Sequence, residues 1–162
     1  MSVHIERILV PIDYSENALA AKKVADAQAV AFNAEVNLLH VVDNSAYEAY
    51  LHRGMMGEGM IVPYIDKVSP DSEIGKKIKE FMGKAQAELE KYAQGGPIPH
   101  KTTLKHGPVI ETILAEIESY KPDLLVMSTH GNTGLRHMLM GSVTEKIVRL
   151  SPVPVLTVRG EY

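Results

Sequence analysis

The chain has 162 residues, 45% of them hydrophobic and 23% charged, the size and balance of one globular domain rather than a disordered or fibrous chain. A formal net charge of −3 without a basic block removes the electrostatic drive toward nucleic acid, and no apolar run approaches the roughly 20 residues that span a bilayer. There is no cysteine, which excludes disulfides, thiolate metal sites and cysteine nucleophiles. With no signal-peptide pattern at the N-terminus, the expected location is the cytoplasm.

Ile8-Leu9-Val10 reads as a buried strand that ends at Pro11-Ile12-Asp13. Ser15 is a good N-cap, and Ala20, Val24, Ala27 and Ala31 then recur at helical spacing, predicting a helix whose small-residue face packs closely on a sheet. Val36 to Val42 is the second strand. From Asn44 to Pro70 the periodicity fails, so 44–70 is expected to be an irregular insertion, either a mobile connector or a lid or partner contact. Ile74, Ile78, Phe81, Met82, Ala85, Leu89 and Tyr92 form the next helical stripe, closed by Gly95-Gly96-Pro97.

Ile98 to Lys105 is the third strand, and Gly107-Pro108 opens a helix with Ile110, Ile113, Leu114 and Ile117 on its apolar side. Leu124 to Met127 is an unbroken apolar run, which suits a parallel strand buried on both faces. Pro152 to Val158 is the fifth strand, and its two prolines argue for a sheet edge, where a missing N–H is tolerated. Strands alternating with helices predict a single-domain α/β fold over 1–162, an open, mainly parallel sheet with helices on both faces.

The segment between the fourth and fifth strands carries the chemistry. Ser128-Thr129-His130-Gly131-Asn132-Thr133-Gly134 is small, hydroxyl-bearing and glycine-containing, so it can turn sharply and present amide N–H groups to an anion. Further on, Ser142 and Glu145 have capping-box spacing, and Val143, Ile147 and Leu150 follow at helical spacing. A helix is therefore expected to start near Ser142, with its first amides at the positive end of the dipole. Seven histidines are present, none in a metal-ligand motif; His40 lies in a strand, while His130 and His137 flank the loop.

This segment resembles the signature of the universal stress protein family, G-x2-G-x9-G-S/T, through Gly131, nine intervening residues and Gly141-Ser142. ILVPID (8–13), LLHVVD (38–43) and PVLTVR (154–159) are similar to that family's first, second and last strands, so the resemblance covers nearly the whole chain. One position departs: Ser128 stands where the first signature glycine belongs. Its Cβ is harmless if φ is below zero and otherwise costs on the order of 1–2 kcal/mol.

The resemblance implies the strand order 3-2-1-4-5, ATP as ligand, Mg²⁺ or Mn²⁺ carried on the phosphates, and a homodimer formed through the C-terminal edge strand. By the same resemblance the site draws Pro11, Ile12 and Asp13 from the first strand and the Val41 backbone from the second. It takes Met127, Ser128, Thr129, His130 and Gly131 from the fourth strand and its loop. Gly141, Ser142, Val143 and Thr144 come from the last helix. Asp13 has two open roles: accepting from a ribose hydroxyl or a metal-bound phosphate, or supporting the helix cap beside Ser15. No Walker P-loop or nucleophile elbow is present, so the expectation is a nucleotide-dependent regulatory module with slow or no hydrolysis. The alternatives are a family member that binds no nucleotide and acts through an unknown protein partner, or an ATPase using Asp13.

Overall fold

The computed structural model describes residues 4–54, 65–130 and 140–160. In chain order the elements are β1 (Arg7–Ile12), α1 (Glu16–Phe32), β2 (Glu35–Val42), α2 (Asn44–Gly54), a 3₁₀ turn (Ile65–Lys67), α3 (Glu73–Ala93), β3 (His100–His106), α4 (Val109–Tyr120), β4 (Leu124–Ser128), α5 (Ser142–Leu150) and β5 (Val155–Val158). The strands form one sheet in the order β3-β2-β1-β4-β5, every pair parallel. The α/β class and the strand order are as expected.

Alternate strand residues serve opposite faces, so strands covered on both sides must be apolar throughout. Ile8, Val10 and Ile12 meet α1 and α3 through Ala18, Ala21, Ala25, Ala29 and Leu89. Leu9, Leu39, Leu125 and Met127 meet α4 and α5 through Ile113, Ile117 and Ile147.

The α1 N-cap is Ser15, whose hydroxyl accepts from the Ala18 amide at 3.1 Å. The buried face of α1 differs from the expected one: Ala18, Ala21, Ala25 and Ala29 face the sheet, while Ala27 and Ala31 are exposed. The same face buries Lys22 and Asp26, whose Nζ and Oδ2 lie 3.2 Å apart. Asp26 Oδ1 also lies 2.5 Å from Nε2 of His100, whose Nδ1 donates to the Ala93 carbonyl at 2.8 Å. Buried charges persist only when so paired, and a polar pair on the inner face shifts the stripe away from the one that apolar spacing suggests.

The expectation of irregular chain over 44–70 is corrected at its start, where Asn44–Gly54 is helical. Asp43 initiates α2, its Oδ1 accepting from the Ser45 hydroxyl at 2.6 Å and the Ala46 amide at 2.9 Å. These bonds hold its carboxyl below the usual carboxylate range, the Ser45 contact foremost. Tyr47 and Leu51 are buried one turn apart against Ile78 of α3. Of the remainder, 55–64 lies outside the described residues, and 65–70 holds the 3₁₀ turn at Ile65–Lys67 followed by irregular chain.

Pro108 is the N-cap of α4, so the helix starts at Val109, one position after the expected first helical residue. Pro152 and Pro154 precede β5 rather than lying within it, so the edge position does not arise from them. At the amino end of the sheet, Asp123 Oδ2 accepts from the Glu6 and Arg7 amides, both at 2.9 Å. Glu35 bridges β2 to its neighbours there, accepting from Lys101 at 2.7 Å and from the Tyr120 hydroxyl at 2.9 Å.

Candidate functional site

The sheet reverses its winding between β1 and β4, and in open α/β sheets ligands sit outside the strand carboxyl ends beside such a reversal. The β1–β2 ladder runs on to Ile12↔His40, but the β1–β4 ladder is confined to Ile8↔Leu124 and Leu9↔Leu125. Beyond Leu9 the two strands therefore part, although β1 continues to Ile12 and β4 to Ser128. Pro11 falls where pairing with β4 has already ended, so a residue with no N–H is accommodated in a central strand.

At the head of α5 the N-cap is Gly141, with φ −69° and ψ 151°, and no side chain caps the helix. The expected capping box is not formed, because Ser142 is already the first helical residue and the extended cap backbone belongs to Gly141. Glu145 instead lies 4.0 Å from Arg149 on the exposed side. Among the described residues, the amides of Ser142, Val143 and Thr144 consequently have no protein acceptor. They point from a positive dipole end.

This helix start is fastened to β4. The Thr144 hydroxyl donates to the Ser128 carbonyl at 2.8 Å, and the Gly141 amide donates to the Thr129 carbonyl at 2.6 Å. The Thr129 amide in turn donates to the Val158 carbonyl of β5 at 2.9 Å. The Thr129 and Gly141 amides, expected to serve an anion, are thus spent inside the protein. Gly131, Asn132 to Gly134 and His137 lie outside the described residues. His130 Nδ1 lies 2.9 Å from the Thr129 hydroxyl.

Ser128 ends β4, and it is not among the described non-glycine residues with positive φ, which are Tyr14, Asn33 and Lys121. The side chain at this departure from the signature is therefore unstrained. Gly141 has little room to spare: a Cβ there would stand 3.2 Å from the Thr129 carbonyl oxygen.

Across the opening, Asp13 follows β1. Its Oδ1 accepts from the Ser15 amide at 3.1 Å and the Ser15 hydroxyl at 2.6 Å, so the carboxylate supports the α1 cap from the rim of the crevice. Ile12 and Met127 are buried beside the opening, and Val41 is half-buried against the α4–α5 face. Among the described residues no group of three or more His, Asp or Glu side chains is arranged to hold a metal ion.

Sequence reasoning missed the Tyr14–His40–Tyr92 cluster on the α1–α3 face. The Tyr14 ring lies 4.5 Å from that of His40 and 5.4 Å from that of Tyr92. His40 Nδ1 donates to the Ile12 carbonyl at 2.9 Å. Burial, reinforced by Asp13, pushes the Tyr92 phenol up to about 12. The D-x-S spacing of Asp13 and Ser15 is the signal for this turn, since it lets the carboxylate fold back and hold Tyr14 between them.

The winding reversal and the layers on both faces define an open, doubly wound α/β protein in which the start of α5 is tied to the carboxyl end of β4, beside the reversal. The chain belongs to the universal stress protein family, which matches residues 4–159. It is 32% identical over 154 residues to the universal stress protein MJ0531 of Methanocaldococcus jannaschii, covering 95% of this chain and 82% of that one. The solved structure of MJ0577, from the same organism, superposes with a TM-score of 0.70 at 28% identity, covering 99% of both chains. A universal stress protein solved in complex with cAMP shares the fold, with a TM-score of 0.58 at 20% identity over 98% of this chain and 99% of that one.

Proposed function

We propose that this universal stress protein binds ATP in the crevice between β1 and β4, as a cytoplasmic homodimer that works as a nucleotide-dependent regulatory module. The observation that carries the reading is the head of α5, where three successive amides, those of Ser142, Val143 and Thr144, have no protein acceptor among the described residues. Such a helix start suits a phosphate, and its fastening to Ser128 and Thr129 fixes it before any ligand arrives. Asp13, across the opening, faces the nucleoside end. A fold relative in complex with cAMP is in keeping with a nucleotide at this position.

Amides alone leave much of a triphosphate's charge uncompensated, so a divalent ion, Mg²⁺ or Mn²⁺, is carried on the phosphates. No described side chain is placed as a general base toward a γ-phosphate, and the reading is accordingly of binding with slow or no hydrolysis. The homodimer forms through β5, a short edge strand of Val155-Leu156-Thr157-Val158 without a charge to discourage pairing. The other edge, β3, carries Lys101 and Lys105.

Titration calorimetry with ATP and Mg²⁺ tests the reading. Wild-type protein is expected to bind, and Gly141→Val, whose side chain would press on the Thr129 carbonyl, is expected to lose binding while keeping its helical circular dichroism. Absence of heat at millimolar ATP with the wild type would favour the second reading, a family member that acts only through protein contacts. Equal affinity of Gly141→Val and wild type would displace the site.

A further inference from the structure

Three described non-glycine residues have positive φ, and two of them, Asn33 and Lys121, are C-caps of α1 and α4, where a left-handed residue ends a helix. Tyr14, at φ 61°, ends nothing. A bulky side chain in this region is a true outlier and persists only where its surroundings hold it. Here the Tyr14 ring is clamped between His40 on β2 and Tyr92 on α3, and His40 is itself fixed to the Ile12 carbonyl. Its hydroxyl is buried with no hydrogen-bond partner, so the ring and not the hydroxyl makes the contacts.

The left-handed turn at Tyr14 is what lets the chain fold back so that Asp13 Oδ1 meets both the amide and the hydroxyl of Ser15. We propose that Tyr14 is a positioning residue for the nucleoside end of the ligand: its clamped ring holds the turn that fixes the Asp13 carboxylate at the crevice rim. This rests on the ATP reading above. Tyr14 packs in the α1–α3 cluster and Val143 and Ile147 of α5 in the opposite one, so its effect falls on the part of the ligand beyond the phosphates.

The test compares two probes, ATP and inorganic tripolyphosphate, each with Mg²⁺, by calorimetry on the full chain. Tyr14→Phe keeps the ring and is expected to match wild type for both. Tyr14→Ala removes the clamp but keeps the left-handed penalty, so the turn relaxes and ATP affinity falls about tenfold while tripolyphosphate affinity is unchanged. Tyr14→Gly accepts the backbone conformation without strain, so it keeps the turn without the ring and is expected to bind ATP within about threefold of wild type. Wild-type ATP affinity in Tyr14→Ala, equal loss of both probes, or a tenfold loss of ATP affinity in Tyr14→Gly would overturn the assignment. Wild-type protein that binds neither probe would overturn the ATP reading itself and this assignment with it.

Discussion

Ser128 shows how one backbone angle decides whether a departure from a family signature matters. Because it ends β4 in the extended region, a glycine there would relieve no strain. Ser128→Gly is therefore expected to leave ATP affinity within about threefold of wild type, the small loss coming from extra backbone freedom before the loop. A tenfold gain in calorimetry would show that its Cβ obstructs the ligand. The start of α5 was legible in the sequence, because a glycine, a hydroxyl and a following apolar stripe mark a helix start. What was not legible was which amides remain available. Gly141 and Thr129 look like donors until the fold turns Gly141 onto Thr129 and Thr129 onto Val158. That choice depends on a contact with β5, far along the chain.

At the scale of elements, the strands were readable because both sheet faces are covered, which forces continuous apolar runs such as Ile8-Leu9-Val10. The inner face of α1 was not, since Lys22 and Asp26 lie on it and their stabilising partner, His100, belongs to β3. Local spacing has no access to such a partner. The helix α2 escaped notice for a similar reason: only Tyr47 and Leu51 mark its buried side, and their counterpart Ile78 is supplied by α3. Within α3, Gly83 is exposed and nothing lies within 4 Å of the position a Cβ would take. Gly83→Ala should stabilise the protein by about 0.5–1 kcal/mol through lower unfolded-state entropy, read as a higher Tm. An unchanged or lower Tm would mean that α3 tolerates or needs the flexibility.

Across the whole molecule, the two ends of the sheet have different tasks. The amino end is a closed clamp, where the amides of Glu6 and, to a lesser extent, Arg7 hold the Asp123 carboxyl below the usual carboxylate range. A depressed pKa gives stability that is fully present above the unfolded value, about 4, and is lost as pH falls through the folded one. Asp123→Asn should accordingly be less stable than wild type near neutrality, with the difference shrinking below about pH 4 in pH-dependent urea melts. A constant difference would assign the loss to geometry and not to charge.

The proposed homodimer rests on the edge strand. Pro154 and Val158 turn their carbonyls to β4, accepting from Leu125 and Thr129, so by strand alternation Val155 and Thr157 turn their backbone groups outward. Thr157→Pro removes an outward N–H without touching the β4–β5 ladder. On the proposed homodimer, sedimentation should then report a monomer that keeps its helical circular dichroism, and a persistent dimer would move the subunit contact elsewhere.

Thr129 joins these two regions through a single peptide group on either side of its α-carbon. Its amide grips the outer strand through Val158, and its carbonyl grips the cap of the last helix through Gly141. On the proposed reading, occupancy of one region and assembly at the other would be linked by a lever one residue long. If a nucleotide tightens subunit association through it, association must tighten the nucleotide by the same factor.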